Sequence, residues 1–205
     1  MKPLARLLSI LLHPLWLPLY TFVVVFKVEP HLGFFITPEA YWYNVLVLFA
    51  MTGVFPLLGA LILRRGRRMD DVVLSDRAAR ISPMMGTLIY YCVAYWLLRR
   101  FQHQPETLSM FLGMGLTLVA TLVVTFRWKV SLHMAGIGGL IGALLALQQF
   151  FGSFSVLVLV PFVLVAGLLG TARLVDSDHT PAQVYVGALM GFACVYGCMM
   201  TGVVL

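Results

Sequence analysis

The sequence predicts an all-α fold, a polytopic bundle of about six or seven transmembrane helices, on three observations. Of its 205 residues, 61% are hydrophobic and only 11% charged, where a soluble domain is about one quarter charged. A soluble domain of this size leaves roughly a third of its extended-chain surface in water, and eight acids with fourteen bases are too few to cover it. The apolar residues also fall into runs near the ~20 residues that cross a bilayer as a helix.

Seven such segments follow in order: 5–26, 42–63, 83–98, 107–126, 130–150, 154–172 and 182–204. The first begins behind Lys2 and Arg6, as a secretory signal would. It runs on through Trp16 to Phe26 without a small-residue cleavage site, so it reads as a spanning helix. His13, Pro14 and Pro18 within it predict a kink or break, which a membrane helix tolerates when its neighbours satisfy the freed backbone groups. The third segment is short, with Pro83 suited to a helix start and Arg99–Arg100 marking its far end. No repeat or low-complexity linker divides the chain, so residues 1–205 read as one membrane domain whose longest polar stretch is 64–82. Cys92, Cys194 and Cys198 lie in apolar runs at spacings that match no zinc site or disulfide framework, and read as packing residues.

The net charge is 14 − 8 = +6. In a soluble chain that would suggest nucleic acid; here it points to anionic headgroups, phosphate-bearing substrates and membrane orientation. If all seven segments span, the N-terminus and loops 64–82, 127–130 and 173–181 share one side. That side holds eleven bases, against Lys27, Arg99 and Arg100 on the other. Such a bias assigns the first side to the cytoplasm, and in a bacterium the membrane would be the plasma (inner) membrane.

Three polar clusters fall on that same side: 76–83 (DRAARISP), 127–133 (RWKVSLH) and 172–183 (ARLVDSDHTPAQ). Ionisable residues at membrane depth are costly and commonly functional. A helix beginning near Lys129 would set Lys129 and His133 four residues apart on one face, with Ser131 at the helix start, where N–H groups and the dipole favour an anion. His179 and Gln183 have the same spacing, so the Gln carbonyl would hold the imidazole in one tautomer if 179–183 is helical. Each cluster also has a plainer reading: an interfacial Lys with a hydrogen-bonded His, a snorkelling Arg173 beside a solvated turn, and an orientation-setting Arg/Asp loop. Taken together, three basic loops and two histidines on one face describe a phosphate site. Arg and Lys would neutralise the oxygens, one His would attack phosphorus and the other would protonate the leaving alcohol. No carboxylate cluster lies within the membrane, which disfavours a two-metal phosphatase, and the chemistry needs no metal or other cofactor. Serine-protease, P-loop and dinucleotide-binding signatures are absent.

Arg173-x5-His179-x3-Gln183, followed by VYVGALMG, resembles the third signature (SR-x5-H-x3-D) of the type 2 phosphatidic acid phosphatase superfamily, integral-membrane enzymes that hydrolyse lipid phosphates. Ser131-Leu132-His133 resembles the second, PSGH, and Arg77-Ala-Ala-Arg80-Ile-Ser-Pro83 loosely resembles the first, K-x6-RP. The similarity covers 77–191 as a phosphatase-like core. It implies that His179 is a nucleophile forming a phosphohistidine and His133 the general acid. Arg173, Ser131, Lys129, Arg80 and Arg77 would hold the phosphate of a membrane lipid or isoprenoid phosphate, without a metal. The sequence departs from the pattern at Gln183, where the family has the Asp that orients the nucleophile, at Leu132, where it has Gly, and at Ala172, where it has Ser. Asp176 is a candidate to supply the missing charge. Beside the enzyme stand two alternatives: a noncatalytic lipid-phosphate binder or transporter using the same basic pocket, and a structural membrane subunit. For the last, the GxxxG pairs Gly138/Gly142 and Gly187/Gly191 permit close helix packing within one chain or in a homo-oligomer.

Overall fold

The computed structural model describes residues 2–65, 78–101, 104–176 and 179–204, with the side chains of 63–65, 78–80 and 101 outside that description. Among the described residues every regular element is helical. The helices are α1 (Lys2–Leu11), α2 (Leu17–Val28), α3 (Pro30–Phe34), α4 (Pro38–Leu48), α5 (Phe55–Arg65), α6 (Ala78–Phe101), α7 (Pro105–Thr125), α8 (Leu132–Phe151), α9 (Leu159–Asp176) and α10 (Pro181–Thr201). A π-helical turn, Phe49–Val54, joins α4 to α5 without a break. Among the described residues six stretches are long and apolar enough to cross a membrane: Pro38–Ile62, Ile81–Arg100, Pro105–Thr125, Leu132–Phe151, Val156–Asp176 and Pro181–Thr201. Large apolar side chains such as Ile62, Ile89, Leu164 and Leu189 face outward. In lipid that outward face is the solvated one, and the chain is a multi-pass integral membrane protein.

The first expected segment, 5–26, is two helices. Pro14 and Pro18 interrupt the backbone ladder, and residues 12–16 form a turn in which Leu15 N–H donates to Nδ1 of His13 at 3.3 Å. α2 alone has 12 residues, about 18 Å at 1.5 Å per residue. Its flanks nevertheless meet the two ends of α8. The His13 ring lies against His133 in the first turn of α8, and the Ser153 hydroxyl, just past α8, donates to Glu29. Residues 13–29 therefore run the length of α8, while α1 stays at the starting end and packs against α9. Residues 5–11 belong to α1 and not to α2, and α2 is shorter than the six spans, so the expected 5–26 segment is not a single long span.

The third segment differs at its start. α6 begins at Ala78, and Pro83 lies inside the helix instead of opening it. α8 begins at Leu132, two residues after the expected boundary at 130, because Ser131 holds an extended N-cap conformation. Of the three cysteines, Cys194 and Cys198 are half-buried, but Cys92 is exposed on α6 and is not a packing residue.

The core is built on α8, whose closest partner is α10. Both GxxxG pairs serve this contact within the chain. A Cβ on Gly191 would overlap the Ala135 carbonyl, and one on Gly138 would overlap the Ala188 carbonyl. Glycine at these positions lets the backbones approach as no other residue would. The α8–α10 contact also brings together the two loops that precede these helices: Ser131 N–H donates to the Gln183 carbonyl at 3.2 Å. At the opposite end the fully buried Glu29 accepts from His31 N–H at 3.0 Å and from Ser153, and the Gln104 side chain donates to the Leu32 carbonyl at 2.9 Å. The two ends are thus distinct, one closed by an internal carboxylate and one where the residues before α8 meet the start of α10.

Candidate functional site

The site forms where the N-termini of α8 and α10, the C-terminal turn of α9, and α1 converge. Thr180 is the N-cap of α10: its hydroxyl accepts from Gln183 N–H at 3.4 Å, and Gln183 Oε1 accepts from Thr180 N–H at 3.2 Å. This reciprocal capping box identifies the amide atom facing Thr180 as oxygen, since only an acceptor satisfies a backbone N–H. The same Oε1 lies 3.0 Å from His179 Nδ1. An oxygen there requires Nδ1 to carry the proton, so neutral His179 keeps its electron pair on Nε2. His179 and Gln183 are 7% and 8% exposed, so this arrangement is shielded from competing water. The expected partners meet, but His179 precedes the helix, and the capping box takes the place of a shared helical face.

Ser131 lies across from this cap. It is the N-cap residue of α8, yet its hydroxyl makes no capping bond; the residue is fully buried, and Oγ has no hydrogen-bond partner among the described residues. A buried hydroxyl left without a partner is costly, and this one stands at the positive end of a 20-residue helix. The combination is one that an anion would satisfy.

His133 follows in the first turn of α8. Its Nε2 lies 3.0 Å from the Ser9 carbonyl, which only accepts, so Nε2 carries the proton. Arg173 Nη1 donates to the Ser9 hydroxyl at 3.2 Å. One residue of α1 thereby touches both the general acid expected from the sequence and the principal phosphate ligand. The His13 ring packs edge-on against His133 with centroids 5.5 Å apart. The Arg173 charge reaches both His13 and His133, and His179 is within electrostatic reach of His133. The cluster therefore carries the Arg173 charge, with its residues drawn from α1, α8, α9 and the segment before α10.

The remaining expected residues fall elsewhere. Lys129 is half-buried in the 126–131 connection, outside α8, so it does not share a helical face with His133. Arg80 lies in the first turn of α6, but its side chain is outside the description, and Arg77 lies outside the described residues. Asp176 pairs with Arg6 of α1 at 3.6 Å, so its charge is shared with that guanidinium. Ser9, Arg6 and His13 were not singled out as site residues. Only His13 carried a signal, an imidazole inside an apolar run; Ser9 reaches the site through a contact across 164 residues of sequence.

Chemically, the arrangement brings together an imidazole protonated on Nδ1, a second imidazole whose Nε2–H is held by the Ser9 carbonyl, a guanidinium, and a buried hydroxyl at a helix N-terminus with no partner among the described residues. Compared with protein-family models, with curated proteins and with solved structures, the chain finds no match.

Proposed function

We propose that the protein is an integral-membrane hydrolase of a lipid phosphate or pyrophosphate that works through a phosphohistidine on His179. The observation that carries this reading is the bond from His179 Nδ1 to Gln183 Oε1, with the identity of that oxygen set by Thr180 N–H. It leaves Nε2 as the attacking atom. In this reading Arg173, the Ser131 hydroxyl and the N-terminal amides of α8 meet the phosphate oxygens, and His133, entering the step as the imidazolium, gives its Nε2 proton to the departing oxygen and is left neutral. Water then cleaves the phosphorus–nitrogen bond, with His133 accepting its proton. The resemblance to the type 2 phosphatidic acid phosphatases assigns the same roles to the same positions. The count of bases favours a cytoplasmic site.

Gln183 orients the nucleophile but supplies no charge to the imidazolium that forms on attack. An Asp-to-amide change in the comparable position of a serine-protease triad costs about 10⁴-fold. This favours a second reading, a lipid-phosphate binder or transporter with the same pocket and no turnover. Phosphate release from lipid phosphates by the purified protein in detergent decides between them. The hydrolase releases phosphate without added metal and loses that activity in His179→Ala and His133→Ala. Full activity in both variants would end the enzymatic reading, and Arg173-dependent binding with no release across lipid phosphates would select the binder.

A further inference from the structure

Ser9 touches the two groups that the proposed chemistry turns on the substrate. Its hydroxyl accepts from Arg173 Nη1 at 3.2 Å, and its carbonyl accepts from His133 Nε2 at 3.0 Å. In the reading above Arg173 meets a phosphate oxygen and His133 the departing ester oxygen. Two oxygens of one residue therefore stand where two oxygens of the substrate would. Arg6, three residues earlier in α1, pairs with Asp176 at 3.6 Å, so α1 is fastened to this end of α9 by a further polar contact. The rest of α1 holds it weakly. α9 is the helix it chiefly packs against, and its buried residues are Ala5 and Ser9, both small. Leu4, Leu7, Ile10 and Leu11 are each more than half exposed. Lipid tails are as apolar as these side chains, so a swing of α1 leaves them solvated as before. The Arg6 side chain is 71% exposed, and an ion pair so open to solvent contributes little. Residues 12–16, a turn around Pro14 with no continuous helical ladder, supply the hinge.

We infer that α1 is an autoinhibitory strap: Ser9 occupies Arg173 and His133 in the closed protein, and a phosphate group displaces it by swinging α1 about residues 12–16. The inference rests on the phosphate-site reading for its ligand and on the contacts of α1 for the strap. The exchange favours an anion. A phosphate oxygen gives the guanidinium a charged acceptor in place of a neutral hydroxyl, and hydrogen bonds between charged partners are the stronger kind. It also gives His133 an ester oxygen in place of the Ser9 carbonyl. An uncharged lipid offers Arg173 nothing better than Ser9 already does, so the strap stays closed against it. Opening further releases Arg6 from Asp176.

The test uses the full-length protein in phosphatidylcholine nanodiscs, with Cys92, Cys194 and Cys198 replaced by Ala and spin labels on Leu4→Cys in α1 and Tyr185→Cys in α10, both exposed positions. Pulsed electron resonance reads the label separation with no addition, with dioleoyl phosphatidic acid or dioleoylglycerol in the disc, and with inorganic phosphate in the buffer. One separation is expected without addition and with dioleoylglycerol. Phosphatidic acid is expected to add a population displaced by about 5 Å or more, one helical turn. The same displacement with inorganic phosphate supports the strap and assigns its release to the phosphate group alone; displacement by phosphatidic acid only supports it and assigns release to a lipid-borne phosphate. Loosening α1 by Ala5→Trp, which wedges it from α9, or independently by Arg6→Ala, is expected to raise the displaced population without phosphate, for the wedge by at least about fivefold. Size-exclusion and thermal-unfolding profiles identify which of these variants is folded. An unchanged separation with both phosphates, an equal displacement by dioleoylglycerol, or a closed population in every folded loosened variant would overturn the inference. Displacement by phosphatidic acid with no phosphate release upholds the strap and ends the hydrolase reading; phosphate release at an unchanged separation overturns the strap and leaves the hydrolase reading standing.

Discussion

The side-chain oxygen of Gln183 lies 3.0 Å from Nδ1 of His179 and also accepts from Thr180 N–H at 3.2 Å, so one amide caps α10 and sets the tautomer of the histidine before it. Cap and site are the same structure. A change at 183 therefore acts on stability and chemistry together, and the two effects separate by the substitution chosen.

Gln183→Asp keeps an acceptor for both bonds and adds a charge beside the imidazolium. It is expected to raise kcat for lipid-phosphate hydrolysis tenfold or more, with little change in melting temperature. Gln183→Leu removes both bonds; it is expected to cost about 1 kcal/mol of stability through the lost cap and to lower kcat by at least 10²-fold. Steady-state kinetics beside thermal unfolding read both effects.

Ser9 holds Arg173 with its hydroxyl and His133 with its carbonyl. In the proposed reading, a lipid phosphate reaching Arg173 and His133 displaces these contacts. Ser9→Ala removes a competing acceptor for the guanidinium, and KM is expected to fall roughly fivefold, the equivalent of about 1 kcal/mol for one hydrogen bond, with kcat unchanged. A rise in KM would show that Ser9 positions Arg173 for substrate instead of competing with it.

The α8–α10 contact separates two glycines on one helix. Gly191→Val drives a side chain into the Ala135 carbonyl and is expected to destabilise by more than the usual ~1–3 kcal/mol of overpacking, because the obstacle is backbone. Gly197 meets nothing within 4 Å, and Gly197→Ala is expected to be neutral or to stabilise by roughly 0.5–1 kcal/mol. Thermal unfolding of the two variants in the same detergent checks the contrast.

Glu29 is fully buried at the other end and accepts from His31 N–H and Ser153. Glu29→Leu leaves both donors without an acceptor, at about 1–3 kcal/mol for each buried unsatisfied group. The expected outcome is a lower melting temperature with kcat/KM unchanged in the molecules that remain folded. A selective loss of kcat/KM at full stability would show that this end couples to the site.

Six of the seven expected spans were legible in the sequence because they depend on composition over long windows. Six apolar runs of about 20 residues leave little freedom in how they fold in lipid. Helix starts were harder, since local capping decides them. Ser131 begins α8 two residues late and so separates Lys129 from the His133 face. The pairing of His179 with Gln183 followed from spacing, yet the geometry that makes it is a capping box. The return of α1 onto the site was not legible. It rests on Ser9 meeting Arg173 and His133, contacts between distant parts of the chain for which an amphipathic decamer carries no local signal.

The central claim is that His179 Nε2 takes the phosphoryl group. Its most direct measurement is rapid acid-free quenching of the protein with a phosphorus-32-labelled lipid phosphate, followed by peptide mapping. The account predicts an alkali-stable, acid-labile label on the peptide containing His179, present in the wild type, absent in His179→Ala, and accumulating in His133→Ala if that variant still forms the intermediate. Phosphate release by the wild type with no label on His179 at any time point would contradict it.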